Sequence, residues 1–240
     1  MDTKIYTIIS NKQLTGTVYE MKLEGDTSMI TAPGQFVNVK LEGFYLRRPI
    51  SICDWNENEL TLVYKTVGQG TKAMSKMEPG TELDILCSLG NGYDLDKIPQ
   101  EPVLAGGGVG VPPMYGLAKA LIAQGKKPKV VLGFNTEHEV FYEEEFKALG
   151  ANVIVMTADG SYGSKGFVTD GFDFAEYACA CGPEVMLQAI AAKAKDGQYS
   201  FEARMACGFG GCMGCSCETK YGAKRICKEG PVLEKEEILW

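Results

Sequence analysis

The sequence predicts a β barrel plus an α/β architecture in three parts. An antiparallel barrel comes first, then a doubly wound parallel-sheet domain, then a small cysteine-rich C-terminal module. Three observations carry this reading. The first hundred residues alternate apolar and polar positions with the period of two expected of half-buried strands. From Val103 onward, short apolar runs alternate with helical patterns, as strands and crossover helices do. Five of the nine cysteines then crowd between Cys207 and Cys227. The expected boundaries are 1–98, 99–205 and 206–240.

The elements follow in order. Tyr19, Met21 and Leu23 alternate with polar neighbours, as do Val37, Val39 and Leu41, and then Leu60, Leu62 and Tyr64. Turn signals at APGQ, DWNEN, EPGT and LGNG separate the strands, and such spacing suits a small barrel. One short helix is expected after GQGT, over Thr71 to Met77. Asp96–Pro102, DKIPQEP, reads as a linker. Beyond it come a strand at Val103–Ala105, the helix PPMYGLAKALIAQ, the strand KVVLGF, the helix EEEFKALG and the strand NVIVMT. YACACG, the helix PEVMLQAIAAKAK and the strand-like YSFEARM complete the alternation, which argues for a parallel, doubly wound sheet.

Composition excludes several functions. The 240 residues, 45% hydrophobic, suffice for two modest cores. With 24 basic and 31 acidic residues the formal charge is -7, and no Lys/Arg run exceeds two, which argues against a nucleic-acid surface. The opening MDTKIYTIIS lacks a basic head followed by a long apolar core, and no stretch approaches a membrane span. The chain is therefore expected to be cytoplasmic, where stable disulfides are rare, and an odd cysteine count also argues against a disulfide framework. The single histidine, His138, reads as a solvated loop or helix-start residue. It excludes His-rich zinc sites and argues against a Ser-His-Asp triad.

Cys207, Cys212, Cys215 and Cys227 leave gaps of four, two and eleven residues. The opening Cys-x4-Cys-x2-Cys is the plant-type spacing for a 2Fe-2S cluster. Soft thiolates hold iron, while Gly208, Gly210, Gly211 and Gly214 let the backbone wrap closely and offer N–H groups to sulfur. A zinc ribbon would show two Cys-x2-Cys knuckles, of which one is clear; zinc and uncoordinated thiols stay as alternatives. Cys217 reads as a packed neighbour.

Two further constellations concern nucleotides. Arg48, Pro49, Ile50 and Ser51 sit in a barrel strand, followed by Val63-Tyr64-Lys65 and a helix start at Gly70-Thr71. A glycine-bearing helix start is a ready phosphate site, and Arg48 supplies bidentate charge for the same diphosphate; the bland alternative is a strand with a charged outer face. Gly106, Gly107, Gly108 and Gly110 join a strand to a helix, where a dinucleotide loop belongs. Pro113 replaces the last glycine of G-x-G-x-x-G, and a glycine turn with proline opening a helix also has a structural explanation. Cys181-Gly182-Pro183 occupies a second strand-to-helix crossing. Cys181, like Cys179, is alternatively a buried small apolar residue.

RPIS, VYK, GQGT, LGNGY, GGGVGVPPM, ACGPEVM and CGFGGCMGCSC occur in an order that resembles the ferredoxin reductase superfamily over nearly the whole chain. The terminal cysteine module, leaving through CKEGPV, is similar to one branch, the electron-transfer subunits of NAD-dependent dihydroorotate dehydrogenase B. The resemblance implies FAD held by the barrel. Arg48 would meet its diphosphate, Pro49 and Ile50 would line its site, and Ser51 would bond near its reactive edge. Val63, Tyr64 and Lys65 would run alongside, with Gly70 and Thr71 capping phosphates. Many members carry Tyr where Ile50 stands, so that stacking is absent. Gly106, Gly107, Gly108 and Gly110, with Cys181-Gly182-Pro183, would face NAD. Cys207, Cys212, Cys215 and Cys227 would ligate a 2Fe-2S cluster. No side chain is assigned a catalytic role. The implied function is electron transfer from an FMN-containing catalytic subunit through cluster and FAD to NAD+, in pyrimidine (UMP) biosynthesis, within a heterotetramer of two of each chain. A different redox partner, or a non-enzymatic zinc-binding interaction module, is the alternative. NAD is expected over NADP because Glu137 and Glu139 follow KVVLGF, where a 2′-phosphate would meet like charge.

Overall fold

The computed structural model describes residues 2–240. Six antiparallel strands, β1 (Asp2–Gln13), β2 (Val18–Glu24), β3 (Phe36–Val39), β4 (Arg48–Trp55), β5 (Glu59–Lys65) and β6 (Glu82–Leu89), close into a barrel in the order β1-β2-β5-β4-β3-β6. The period of two sends Met21, Leu23, Val37, Val39, Leu60, Leu62 and Ile85 inward with Tyr6, where they form one core. Phe36 and Asn38 consequently leave the barrel on its outer side. The short helix α1 spans Gln69–Met74 rather than Thr71–Met77. Its start moves forward because Thr71 Oγ1 accepts hydrogen bonds from the Val67 and Gly68 N–H groups, fixing Gly68 as the cap.

The second half is a seven-stranded sheet. Its strands are β7 (Val103–Gly107), β8 (Lys129–Phe134), β9 (Asn152–Thr157), β10 (Ser164–Lys165), β11 (Ala175–Cys181), β12 (Ala194–Ser200) and β15 (Val232–Glu234), in the order β10-β9-β8-β7-β11-β12-β15. All pair in parallel except β15, which runs antiparallel to β12. The helices are α2 (Val111–Ala123), opened by Pro112 and Pro113, α3 (Glu143–Ala148) and α4 (Glu184–Lys193). The α4 pattern was expected to run on to Lys195. It stops at Lys193 because Ala194 already pairs with Ala175 as the first residue of β12, and sheet pairing overrides a helix-compatible sequence. YSFEARM is strand only at Tyr199 and Ser200.

The halves seat firmly on each other. Helix α2 lies against β4, where a Cβ at Gly116 would come within 2.6 Å of the Cys53 carbonyl oxygen. Lys119 pairs with Asp54 at 2.7 Å, and the Tyr142 hydroxyl donates to Glu20 at 2.6 Å. The 96–102 segment carries no strand or helix, yet Lys126 Nζ ties it down by bonds to the Leu95 and Ile98 carbonyls. The cysteine segment forms a hairpin of β13 (Ser216–Thr219) and β14 (Gly222–Arg225) before β15 joins the large sheet. Among the described residues no helix is long and apolar enough to cross a membrane.

Candidate functional site

The outer faces of β4 and β5 form one wall of a cleft of about 360 Å³. Arg48, Pro49, Ile50, Ser51, Val63, Tyr64, Lys65 and Thr71 all line it. The Arg48 guanidinium lies 4.8 Å from the Phe44 ring centroid and also donates to the Leu46 carbonyl. Gly70 sits beneath it rather than in the cleft: a Cβ there would fall 2.1 Å from Arg48 Nε. The sequence thus needs glycine at 70 to let the arginine lie flat. Five fixed N–H donors in a fork suit a diphosphate placed over it. Tyr64 offers only backbone, because its ring is buried in the barrel and its hydroxyl donates to Asn11. The opposite wall comes from Cys181, Ser200, Phe201, Glu202, Ala203 and Met205.

A second cleft of about 680 Å³ opens at the carboxyl ends of β7, β8 and β11. The chain runs outward from β7 to β8 and β9, then returns to build β11 and β12 on the other flank. That reversal is the switch point where doubly wound sheets bind ligands. Gly107, Gly108, Gly182 and Pro183 line this cleft. Gly106 and Gly110 do not. Close packing explains them: a Cβ at Gly110 would lie 2.0 Å from the Cys181 carbonyl oxygen, and one at Gly106 would lie 2.8 Å from Val111 Cα. Cys181 itself reaches the first cleft instead, and burial pushes its thiol up to about 12, so it is a neutral thiol at physiological pH. Glu139 lines the second cleft, its carboxylate held by the Asn135 N–H and side-chain amide at 3.1 and 2.8 Å. Glu137 stands outside it, and His138 is 88% exposed.

Lys65, Val109 and Glu202 line both clefts, so the two meet there. Of these only Lys65 was legible in the sequence. Val109 and Glu202 carry no local signal, being brought together by topology.

The cysteine loop follows directly from Met205. Gly211 and Cys212 N–H groups donate to Cys207 Sγ at 3.2 and 3.4 Å, Gly214 N–H donates to Cys212 Sγ, and Cys227 N–H donates to Cys215 Sγ. These N–H contacts link the four cysteines as two pairs, 207 with 212 and 215 with 227. Burial opposes ionisation of Cys207, but the N–H groups of Phe209, Cys212 and Gly211 outweigh it and bring the thiol down to about 6. Burial and the neighbouring Cys215 push Cys227 up to about 12. Among the described residues no three Cys, His, Asp or Glu groups converge as a single ion requires. Paired thiols wrapped in N–H donors fit a two-iron cluster, which takes its thiolates from a Cys₄ set. Cys217, half-buried, packs against the neighbouring core. Arg225, which sequence reading passed over, braces the loop by donating to the Gly210 carbonyl at 2.6 Å while pairing with Glu229.

A six-stranded barrel fused to a switch-point cleft, with a shared junction between the two, is the architecture of ferredoxin-reductase-type oxidoreductases. The structure superposes on the NADH-dependent reduced ferredoxin–NADP oxidoreductase of flavin-based electron bifurcation with a TM-score of 0.86 and 29% identity, covering 98% of this chain and 90% of that one. It shares its fold with the cytochrome b5 reductase domain of Ulva prolifera nitrate reductase (TM-score 0.64, 16% identity, 80% and 92% covered). Residues 104–192 match the oxidoreductase NAD-binding domain family, and residues 202–239 match the iron–sulfur cluster binding domain of dihydroorotate dehydrogenase B. The dihydroorotate dehydrogenase B (NAD(+)) electron transfer subunits of Fusobacterium nucleatum and Bacillus mycoides are 44% and 40% identical, each over 97% of this chain and 96% of theirs. The chain belongs to the family of dihydroorotate dehydrogenase B electron transfer subunits.

Proposed function

We propose that this chain carries electrons between a 2Fe-2S cluster on Cys207, Cys212, Cys215 and Cys227 and NAD+, by way of FAD in the barrel cleft. It does so as the partner of an FMN-containing dihydroorotate dehydrogenase catalytic subunit, in a cytoplasmic heterotetramer serving pyrimidine (UMP) biosynthesis. The observation that carries this reading is the continuity of three sites: the clefts share Lys65, Val109 and Glu202, and the far wall of the first runs through Ala203 and Met205 into Cys207. When bound, a flavin supplies the exchange between single electrons and a hydride. The protein's own residues bind, orient and exclude water.

Arg48 holds the diphosphate, with Thr71 beside it and Gly70 beneath the guanidinium. Pro49, Ile50 and Ser51 set the position of the isoalloxazine edge, Ser51 by its hydroxyl. Val63, Tyr64 and Lys65 present backbone along the same side. Gly107, Gly108, Gly182 and Pro183 allow a dinucleotide backbone close to theirs, and Gly106 and Gly110 keep strand and helix near enough to form that loop. Glu139 selects a free ribose hydroxyl. The 1–98, 99–205 and 206–240 parts thus divide the work among FAD, NAD and the cluster.

Anaerobic purification followed by iron, zinc and flavin analysis tests the assignment. About two irons and one FAD per chain are expected, with bleaching of the yellow absorbance by NADH. Zinc without iron, or a colourless chain, would return the zinc-module alternative. Service to a different redox partner draws support from the likeness to the ferredoxin–NADP oxidoreductase. The protein that copurifies from native cells decides between them.

A further inference from the structure

We infer that Asn38, on the barrel, is the residue that positions the cluster loop against the flavin strand; this rests on Cys207 being a cluster ligand. Asn38 stands opposite Pro49 in the β3–β4 register, so its backbone is fixed by the strand that forms the FAD wall. Val37 and Val39 face the barrel core, which turns the Asn38 side chain outward. There the cysteine segment covers it, leaving it 1% exposed.

A buried polar side chain on a barrel's outer face needs a reason, since an apolar residue would pack there without a desolvation cost. Its neighbour two positions back, Phe36, does pack that way. The Asn38 side chain makes one protein contact of the polar kind: Nδ2 donates to the Cys207 carbonyl at 3.3 Å. Because the acceptor is a carbonyl, the nitrogen must be the atom that faces it. Oδ1 is buried and has no protein partner. The next residue, Gly208, lies so close that a Cβ would fall 2.0 Å from Nδ2, and its φ of +75 is one that glycine adopts freely. The loop is braced at its other end by Arg225, a residue of its own hairpin. Asn38 is therefore the link from flavin wall to first ligand, and it sets how far the cluster sits from the first cleft.

The test uses the anaerobically purified holo chain carrying Asn38→Leu, which keeps the volume and removes the donor. Cluster loss to a chelator, followed by the visible absorbance, should accelerate about five- to tenfold. The electron paramagnetic resonance spectrum of the reduced cluster should change, because the Cys207 ligand relaxes. FAD content and NADH turnover with a flavin-directed artificial acceptor should stay within about twofold of wild type. Asn38→Asp, which sets a carboxylate against the Cys207 carbonyl, should show the larger cluster defect and a lower midpoint potential. If the leucine variant does not fold, Gly208→Ala displaces the loop from an intact amide and should give the same cluster signature. Wild-type chelation rates and resonance spectra in the variants would overturn the inference. So would a loss of FAD as large as the loss of cluster, which marks a general packing role. A wild-type chain with no iron–sulfur absorbance would instead remove the cluster assignment itself, and the inference with it.

Discussion

Arg48 and Gly70 work as a pair, and each has its own prediction. Losing a charge-assisted hydrogen bond costs about 1.5–3 kcal/mol, so Arg48→Ala should weaken FAD binding by roughly ten- to a hundredfold in a flavin titration. Gly70→Ala should weaken it without removing any charge, since the added methyl occupies the space of Arg48 Nε. An unchanged affinity in both would take the diphosphate role from Arg48. The cysteines separate in the same way. Cys227→Ser breaks the 215–227 pair and should abolish the native cluster, whereas Cys217→Ser, outside both pairs, should retain full iron content. Glu139, held toward the second cleft by Asn135, should favour NADH over NADPH. Near a protein surface a like-charge contact costs about 1 kcal/mol or more, so Glu139→Gln should narrow that preference roughly fivefold or more in steady-state kinetics. A wild type that prefers NADPH would reject the role.

Helix α2 seats on β4 through a point of backbone contact, and Gly116→Ala should force it away from the Cys53 carbonyl. Overpacking of this kind costs about 1–3 kcal/mol, which lowers the melting temperature of a chain this size by roughly 2–10 °C in a thermal scan. The hairpin and loop depend on the Arg225–Glu229 pair, whose hydrogen bonds hold the Glu229 carboxyl down to about 2. A depressed folded-state value contributes stability that is present above the ordinary carboxylate range, near about 4.3, and lost as pH falls toward 2. Thermal scans of the apo chain should therefore fall more steeply over that window than those of Glu229→Gln. These elements also mark the limits of sequence reading. Strands β2, β3, β4 and β5 and the opening of α2 were legible, because Val37–Val39 or Leu60–Tyr64 repeat every two residues and Pro112-Pro113 suit a helix start. The end of α4 was not, since AAKAKDG continues a helical pattern and only pairing with β11 converts it to β12. The strand β15 was too short to signal itself. The candidate cysteines announce themselves by their spacing, whereas Asn38, Val109 and Glu202 acquire meaning only when distant segments meet.

For the whole molecule the prediction concerns what it does alone. The described residues fold as a six-stranded barrel, a seven-stranded sheet and a cysteine hairpin, none of them a TIM-type barrel, which takes about 250 residues. NADH with an artificial acceptor should turn over the isolated protein, while dihydroorotate alone should leave its spectrum unchanged. Adding the catalytic subunit should couple the half-reactions, with the face carrying Phe209, Met213 and Tyr221, all exposed beside the cysteines, covered in the complex. Rapid anaerobic bleaching of the lone chain by dihydroorotate would mean that it holds its own dehydrogenase site. The placement of β15 has a consequence for how such a chain is made. Because β12 is synthesised before β15, the nascent sheet keeps its β12 flank open until Val232–Glu234 arrives to pair with it. A premature stop codon before Val232 should accordingly yield not a smaller soluble reductase but a chain with bare N–H and C=O groups along β12, ready to recruit a strand from its neighbour and precipitate.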